Sequence, residues 1–229
     1  MLEALREEVL EANLALPVHG LAKLTWGNAS GIDRARGLVA IKPSGVPYDQ
    51  LSAKDIVLVN LRGEVVEGAR RPSSDTPTHL FLYEAFEEIG GIVHVHSRSA
   101  TAWAQARREI PLLGTTHADF SPHPVPLTRE LRAEEIAAGY ERATGAALVE
   151  AVSAHGPVEL PAALARGHAP FCWGASPAAA VEHAVTLEEV AHTALLTLTL
   201  DAETALLPAV VRDKHYERKH GPGAYYGQG

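Results

Sequence analysis

The sequence predicts an α/β protein whose sheet is not purely parallel. Apolar residues recur at helical spacing near the N terminus and in a long segment after Ser176, which predicts helices. Short β-branched runs lie between them, and two of these runs flank Arg62-Gly63, which is typical of a hairpin and therefore of antiparallel strands. The length of 229 residues, with 46% hydrophobic and 21% charged residues, predicts a single domain over residues 1–229.

The helices are predicted from apolar stripes and from start and stop signals. Pro17 and Gly20 end the first helix, Ser176-Pro177 opens the longest one, and Gly145 is a predicted break within another. The predicted helices are residues 2–16, a segment beginning at 73–77 and continuing to Phe86, and residues 99–108, 132–153, 176–199 and 208–219.

The strands are predicted from short apolar runs that end at turn signals. Residues 25–31 are predicted to be a loop, because they are rich in types that tolerate unusual backbone angles, and residues 42–45 a turn. The predicted strands are residues 38–41, 56–59, 64–67 and 91–96.

Charge and composition exclude several classes of protein. A formal net charge of −8 argues against a nucleic-acid partner. The single Cys suits a reducing cytosol. Acidic residues in the first twenty positions argue against a signal peptide, and no apolar run reaches membrane-spanning length. A cytoplasmic protein with no membrane partner is expected.

Three histidines form a predicted metal site. His94 and His96 stand two apart at the end of a predicted strand, so both imidazoles would project from one face. His168 follows another apolar segment. Three imidazoles with an open fourth position make a catalytic zinc site, and they also suit Mn²⁺ or Co²⁺. The alternative is a buried, hydrogen-bonded histidine at each position. Cys172 is either a fourth ligand or a buried thiol.

Small polar residues in loops form a predicted anion site. Ser73 and Ser74 precede a helix whose free N–H groups and dipole favour an anion, and Lys42 would add positive charge. The alternative function of both serines is helix capping.

Seven short motifs follow one another along the chain. They are Trp26-Gly27-Asn28, Lys42-Pro43-Ser44-Gly45, Ser73-Ser74-Asp75-Thr76-Pro77-Thr78-His79, His94-Val95-His96-Ser97, Thr116-His117-Ala118-Asp119, His168-Ala169-Pro170-Phe171 and the tail Asp213-Lys214-His215-Tyr216 with Ala224-Tyr225-Tyr226-Gly227-Gln228. In this order the motifs resemble the class II sugar-phosphate aldolase/epimerase family. The resemblance implies a three-layer α/β/α fold with a mixed, largely antiparallel central sheet, a sugar-phosphate substrate, and a homotetramer with sites between subunits.

The resemblance also implies roles for individual residues. Asp119 and Tyr226 match two acid/base residues that a neighbouring subunit supplies, and His215 matches a supporting position. Ala169 stands where the family usually has Gly, which requires either ordinary backbone angles there or a slight shift of the loop. The metal ligands are implied to be His94, His96 and His168, and the phosphate-binding residues to be Gly27, Asn28, Lys42, Ser44, Gly45, Ser73 and Ser74.

Asp75 distinguishes two branches of the family. It matches the epimerase branch, which interconverts the pentulose 5-phosphates L-ribulose 5-phosphate and D-xylulose 5-phosphate, whereas the aldolase branch typically has Glu. Asp75 is expected to ligate the metal, to orient a ligand or to take a hydroxyl proton, with helix capping as the alternative. The rival functions are an aldolase that releases its aldehyde, acting for example on L-fuculose 1-phosphate, and a non-enzymatic protein of the same fold.

Overall fold

A computed structural model describes residues 2–226. Within them, seven strands form one sheet in the order β4-β3-β2-β1-β5-β7-β6. Every pair of neighbouring strands is antiparallel. The strands are β1 (Asn28–Asp33), β2 (Leu38–Ile41), β3 (Val57–Asn60), β4 (Val65–Glu67), β5 (Gly91–His94), β6 (Ala162–Leu164) and β7 (Pro170–Gly174).

Helices cover both faces of this sheet, which confirms the predicted three-layer α/β/α fold. On one face, α1, α3 and α7 pack on side chains such as Val93 and Cys172. On the other, α2 and α5 pack on Ile92 and Trp173. The helices are α1 (Leu2–Val18), α2 (Thr76–Ala85), α3 (Arg98–Gln105), α4 (Thr115–Phe120), α5 (Ala133–Val152), α6 (Gly156–Glu159), α7 (Pro177–Leu200) and α8 (Ala209–His220).

The sheet is less mixed than predicted. Among the described residues, parallel pairing is confined to an isolated bridge between Leu127 and Leu164, beyond the antiparallel ladder. The reason is that the strands that helices connect, β4 to β5 and β5 to β6, run in the same direction but are not neighbours in the sheet.

The prediction of a loop over residues 25–31 is wrong from Asn28 onward. Residues 28–31 belong to β1, which pairs with β2 on one side and β5 on the other. The segment has low strand propensity, but pairing on both edges overrides it. Gly31 also permits a close approach, because a Cβ there would lie 2.8 Å from Cγ of Pro177.

Three predicted boundaries also differ. α1 continues through Pro17 to Val18, although proline has no N–H to donate to the carbonyl four residues earlier. β5 ends at His94, so His96 lies beyond the strand. The helix over 133–152 is kinked at Gly139 (φ 153°), whereas Gly145 stays helical where a Cβ would lie 2.7 Å from that of Phe81.

Several other predicted elements are present. The strand over 38–41, the β3–β4 hairpin and the long α7 helix are all present, and Ser176 caps α7 by accepting from the amide of Ala179 at 3.2 Å. The short helices α4 and α6 were not predicted, and no bounds were predicted for β6 and β7, the two strands around His168. The tail residues Gly227 and Gln228 lie outside the described residues. Among the described helices, none is both long and apolar enough to cross a membrane.

Candidate metal and catalytic site

The structure brings His94, His96 and His168 together. Their ring centroids are all 4.9 Å apart and the rings are inclined by 60–72°. One ligand atom from each ring lies within 4.8 Å of the others. Donor atoms about 2 Å from a shared zinc ion lie roughly 3–4 Å apart, so small side-chain adjustments suffice. The three residues therefore fit a divalent metal.

Strand pairing is what assembles the three rings. His94 ends β5 and pairs with Phe171 on β7, where the two rings stack with centroids 4.1 Å apart. His168 lies in the turn that precedes β7, and Gly167 (φ 70°) provides the left-handed residue of that turn. Ala169 has an ordinary backbone angle, the first of the two predicted alternatives. His94 is buried and His96 is exposed, so the site opens on one side.

Hydrogen bonding and burial prepare these histidines as neutral ligands. His94 donates from Nδ1 to the carbonyl of Pro170 at 3.0 Å, which leaves its Nε2 lone pair for a metal. Burial lowers the pKa of His94 to about 3. Burial also lowers the pKa of His96 and of His168. Neutral imidazole is the form that binds metals, so the site needs no deprotonation at neutral pH.

Tyr140 is a neighbour of the site that the sequence did not reveal. Its hydroxyl lies 3.2 Å from Nδ1 of His168. The kink at Gly139 directly precedes Tyr140 on α5. A contact between residues 28 positions apart leaves no local signal in the sequence.

Asp75 stands beside the histidines. It begins α2, but its side chain makes no capping hydrogen bond. Instead its Oδ2 accepts from Nδ2 of Asn28 at 2.6 Å. Burial alone would raise the pKa of Asp75, but the nearby imidazoles and the Asn28 bond outweigh it and lower the pKa. Among the described residues, the close group of metal-ligating atoms contains the three histidines without Asp75.

The loops predicted to bind phosphate converge next to Asp75. Asn28 pairs with His94 across β1 and β5, and its amide also donates to Ser73 Oγ at 3.0 Å. Gly27 (φ 79°) passes so close to β5 that a Cβ would lie 2.9 Å from the His94 carbonyl. Strand register therefore places this loop beside the metal ligands.

Backbone hydrogen bonds join the other two loops. The amide of Ser44 donates to the carbonyl of Arg71 at 2.9 Å, and the amide of Ser73 donates to that of Lys42 at 3.0 Å. Ser44 and Ser74 are exposed, and Gly45 (φ 69°) directly follows Ser44. This arrangement offers small donors at a solvent-accessible edge, as an anion site needs.

Lys42 contributes a buried cation to the same loops. It is 1% exposed, and its Nζ lies 4.8 Å from the ring centroid of Tyr48. Burial lowers the pKa of Lys42 to about 8, so most of the side chain remains charged at neutral pH. An anion at these loops would gain from that charge.

Asp119, His215 and Tyr226 meet in a second cluster. Arg218 on α8 donates from Nη2 to Oδ2 of Asp119 at 2.6 Å and from Nε to Oδ1 at 3.0 Å. His215 Nδ1 lies 3.2 Å from the same Oδ1. The Arg218 guanidinium lies 4.9 Å from the ring centroid of Tyr226. We call Asp119, His215, Arg218 and Tyr226 the tail cluster.

Arg218 is the second residue that the sequence interpretation missed. His215 and Arg218 stand three apart in α8, which places them on one helix face, and this spacing was an available signal. Burial opposes ionisation of Asp119, but the bonds from Arg218 and His215 outweigh it and lower the pKa of Asp119. The carboxylate is therefore ionised at neutral pH.

Cys172 belongs to the hydrophobic core. It is free and fully buried, and it packs in the same apolar cluster as Val93 and Leu164. Burial raises the pKa of its thiol. Its neighbour Phe171 lies on the face of β7 that contacts His94, so Cys172 points to the opposite face.

Comparisons with known proteins agree with this fold. Residues 7–195 match the family model described as the class II aldolase and adducin N-terminal domain. A solved L-fuculose 1-phosphate aldolase is 25% identical with a TM-score of 0.81, covering 94% of this chain and 95% of that one. The L-fuculose-1-phosphate aldolase of Thermus thermophilus is also 25% identical, with a TM-score of 0.69, covering 88% and 99%.

A third similar structure is YgbL from Klebsiella pneumoniae, at 24% identity and a TM-score of 0.73, covering 93% of this chain and 98% of that one. It adds support for the fold alone. The family model spans most of the chain, from α1 into α7. The protein belongs to the class II aldolase and adducin N-terminal domain family.

Proposed function

We propose that the protein is a metal-dependent L-ribulose-5-phosphate 4-epimerase, which interconverts L-ribulose 5-phosphate and D-xylulose 5-phosphate. The observation that carries this proposal is the tail cluster. Arg218 contacts both Asp119 and Tyr226, so two groups able to exchange protons lie together. Inversion at a hydroxyl-bearing carbon needs two such groups, one for each face.

The reaction follows a retro-aldol and aldol sequence. The 4-hydroxyl loses its proton, the C3–C4 bond breaks, and its electron pair moves to C3 to form an enediolate. Glycolaldehyde phosphate is the other fragment. It turns over, C3 attacks the opposite face of its carbonyl, and the new alkoxide takes up a proton. Protons and electrons balance without an oxidant or reductant.

Each group of residues has its own role in this reaction. Ionised Asp119 accepts the hydroxyl proton on one face, and Tyr226 donates a proton to the alkoxide on the other. In the reverse direction their roles exchange. Asp75 orients the reacting end of the substrate from its position next to the histidines. The substrate phosphate binds to the loops that contain Gly27, Asn28, Lys42, Ser44, Gly45, Ser73 and Ser74.

His94, His96 and His168 would hold the metal, which we assign as Zn²⁺, with Mn²⁺ or Co²⁺ as alternatives. Such an ion supplies Lewis-acid stabilisation of the negative charge on the enediolate. The open side at His96 leaves room for substrate oxygens.

The two parts of the site are assigned to neighbouring subunits of a homotetramer. Within residues 2–226, no hydrogen bond or ion pair joins the tail cluster to the three histidines. A ring of identical subunits with heterologous interfaces would bring the tail cluster of one chain to the histidines of the next.

The alternative is an aldolase that releases its aldehyde. The similar structures with the names of L-fuculose-1-phosphate aldolases favour it. Asp75 favours the epimerase, because the aldolase branch typically carries the longer Glu at this position.

The direct test incubates purified, Zn²⁺-loaded protein with L-ribulose 5-phosphate and measures D-xylulose 5-phosphate. Parallel reactions contain L-fuculose 1-phosphate and measure released aldehyde. Formation of D-xylulose 5-phosphate as the faster reaction supports the epimerase. Faster aldehyde release establishes the aldolase instead, and activity on neither substrate refutes the epimerase and the aldolase of the L-fuculose-1-phosphate type.

Tyr226→Phe tests the acid/base assignment, with Tyr225→Phe as the matched control. Loss of a positioned acid or base typically lowers kcat by about 10²–10⁴-fold, with metal content unchanged. We expect that loss for Tyr226→Phe and not for Tyr225→Phe. Equal rates in the two variants would remove Tyr226 from the mechanism.

Mixed oligomers test the assignment to neighbouring subunits. Tyr226→Phe chains are mixed with inactive Asp75→Asn chains under conditions of subunit exchange. Partial recovery of activity is expected, because one site in the mixed ring has both residues intact. Mixed rings without recovered activity would show that each chain uses its own tail.

A further inference from the structure

His123, His155 and Glu159 form a second group of metal-ligating side chains. We propose that they bind a transition metal of the Zn²⁺, Ni²⁺ and Cu²⁺ class at a site separate from His94, His96 and His168. One ligand atom from each of the three lies within 4.8 Å of the others. The two groups share no residue.

Sequence spacing supports this site. His155 directly precedes α6 and Glu159 ends it, so the two stand four residues apart across one helical turn. Side chains at this spacing lie on the same helix face, which is the geometry that lets two of them share one ion. His123 completes the group from the segment after α4, and its Nε2 lies 2.8 Å from Oε2 of Glu159.

The backbone around these side chains is held in place. Ser121 Oγ donates to the carbonyl of Glu159 at 2.7 Å, which ties the His123 segment to the end of α6. The carbonyl of His123 accepts from Nε2 of His117 at 3.0 Å. A fixed frame reduces the entropy that three ligands lose on binding an ion.

The side chains are accessible and free to adjust. The His123 side chain is 25% exposed and that of Glu159 is 46% exposed, while His155 is on the surface. The rings of His123 and His155 stack with centroids 3.6 Å apart. Metal binding requires exposed His155 to turn out of that stack, and the ion takes the place of the hydrogen bond between His123 and Glu159.

The donor set determines the class of metal. Two imidazole nitrogens and one carboxylate oxygen match a known zinc ligand set, and imidazole also suits Ni²⁺ and Cu²⁺. Mg²⁺ and Ca²⁺ prefer oxygen ligands alone, so neither fits.

The test is a calorimetric titration of metal-stripped protein with Zn²⁺. The wild-type protein is expected to bind two equivalents per chain. His155→Ala and Glu159→Gln should each lose the second equivalent or bind it at least about 10-fold more weakly. His19→Ala, which removes an exposed histidine elsewhere, should keep both.

A second variant tests this metal site independently of the proposed enzymatic activity. Replacing His94 and His168 by Ala should remove one equivalent and leave the other, whatever the enzyme's substrate. Co²⁺ bound to that variant should show the visible absorption of a protein-ligated ion, which His155→Ala should abolish. Circular dichroism verifies that each variant is folded. Loss of all bound Zn²⁺ in the folded variant that lacks His94 and His168, or two equivalents in His155→Ala, would overturn the second site.

Discussion

Replacing Arg218 by Met removes two charge-assisted hydrogen bonds to Asp119, at 2.6 and 3.0 Å, and retains much of the side chain's apolar length. The two side chains are 24% and 18% exposed, so water only partly screens the pair. A hydrogen bond to a charged group contributes about 1.5–3 kcal/mol, and an exposed ion pair contributes about 0–1 kcal/mol. We expect Arg218→Met to lower the free energy of unfolding by about 2 kcal/mol at pH 7.

Urea unfolding at one fixed protein concentration measures this loss, and Arg212→Met is the matched control. Arg212 lies on the same helix and pairs with its neighbour Asp213, but those side chains are 37% and 51% exposed. Its replacement should change the free energy of unfolding by less than about 0.5 kcal/mol. Equal losses in the two variants would refute the special contribution of the tail cluster.

The pH dependence gives the same experiment a second readout. The pKa of Asp119 lies below its usual value of 3.8 in the folded protein. A lowered carboxyl pKa contributes stability that is present above 3.8 and is lost as the pH falls through the folded value. The difference between wild type and Arg218→Met should therefore shrink below about pH 4. A difference that stays constant into strong acid would contradict this account.

Three further predictions concern the core and the metal ligands. Gly31→Val should lower the free energy of unfolding by about 1–3 kcal/mol, because the added side chain overpacks against Pro177. A urea unfolding midpoint equal to that of the wild type would contradict the close approach. Cys172→Ser should cost about 1–3 kcal/mol by burying an unpaired hydroxyl, and Cys172→Ala should cost less if the hydroxyl is the cause. Burial lowers the pKa of His79 to about 4 and that of His94 to about 3. At a pH between these values and about 6.5, the unfolded protein binds protons that the folded protein does not. The free energy of unfolding of the metal-free protein should therefore fall by about 2 kcal/mol per histidine from pH 7 to pH 5. A urea unfolding midpoint that does not change over this pH range would contradict the prediction.

The longer helices and several strands of this protein could be predicted from local sequence patterns. The apolar stripe and Ser176-Pro177 start of α7, and the turn at Arg62-Gly63, each depend on residues close in the sequence. Helix and strand periodicities arise from the backbone itself, so such segments are predictable without a partner. The three histidines were also identified from the sequence, through spacing and the order of the motifs around them.

Tertiary pairing determined what lies around those histidines. The sequence predicts a loop at Asn28, but pairing with a strand on each side makes its segment a central strand of the sheet. In that position the Asn28 side chain donates a hydrogen bond to Asp75. Arg218 contacts Asp119 from 99 residues away, and Tyr140, which follows the kink at Gly139 in α5, contacts His168 from 28 residues away. The physical reason is that strand order and helix docking depend on the free energy of the whole packed core, whereas periodicity and capping depend on a few adjacent residues.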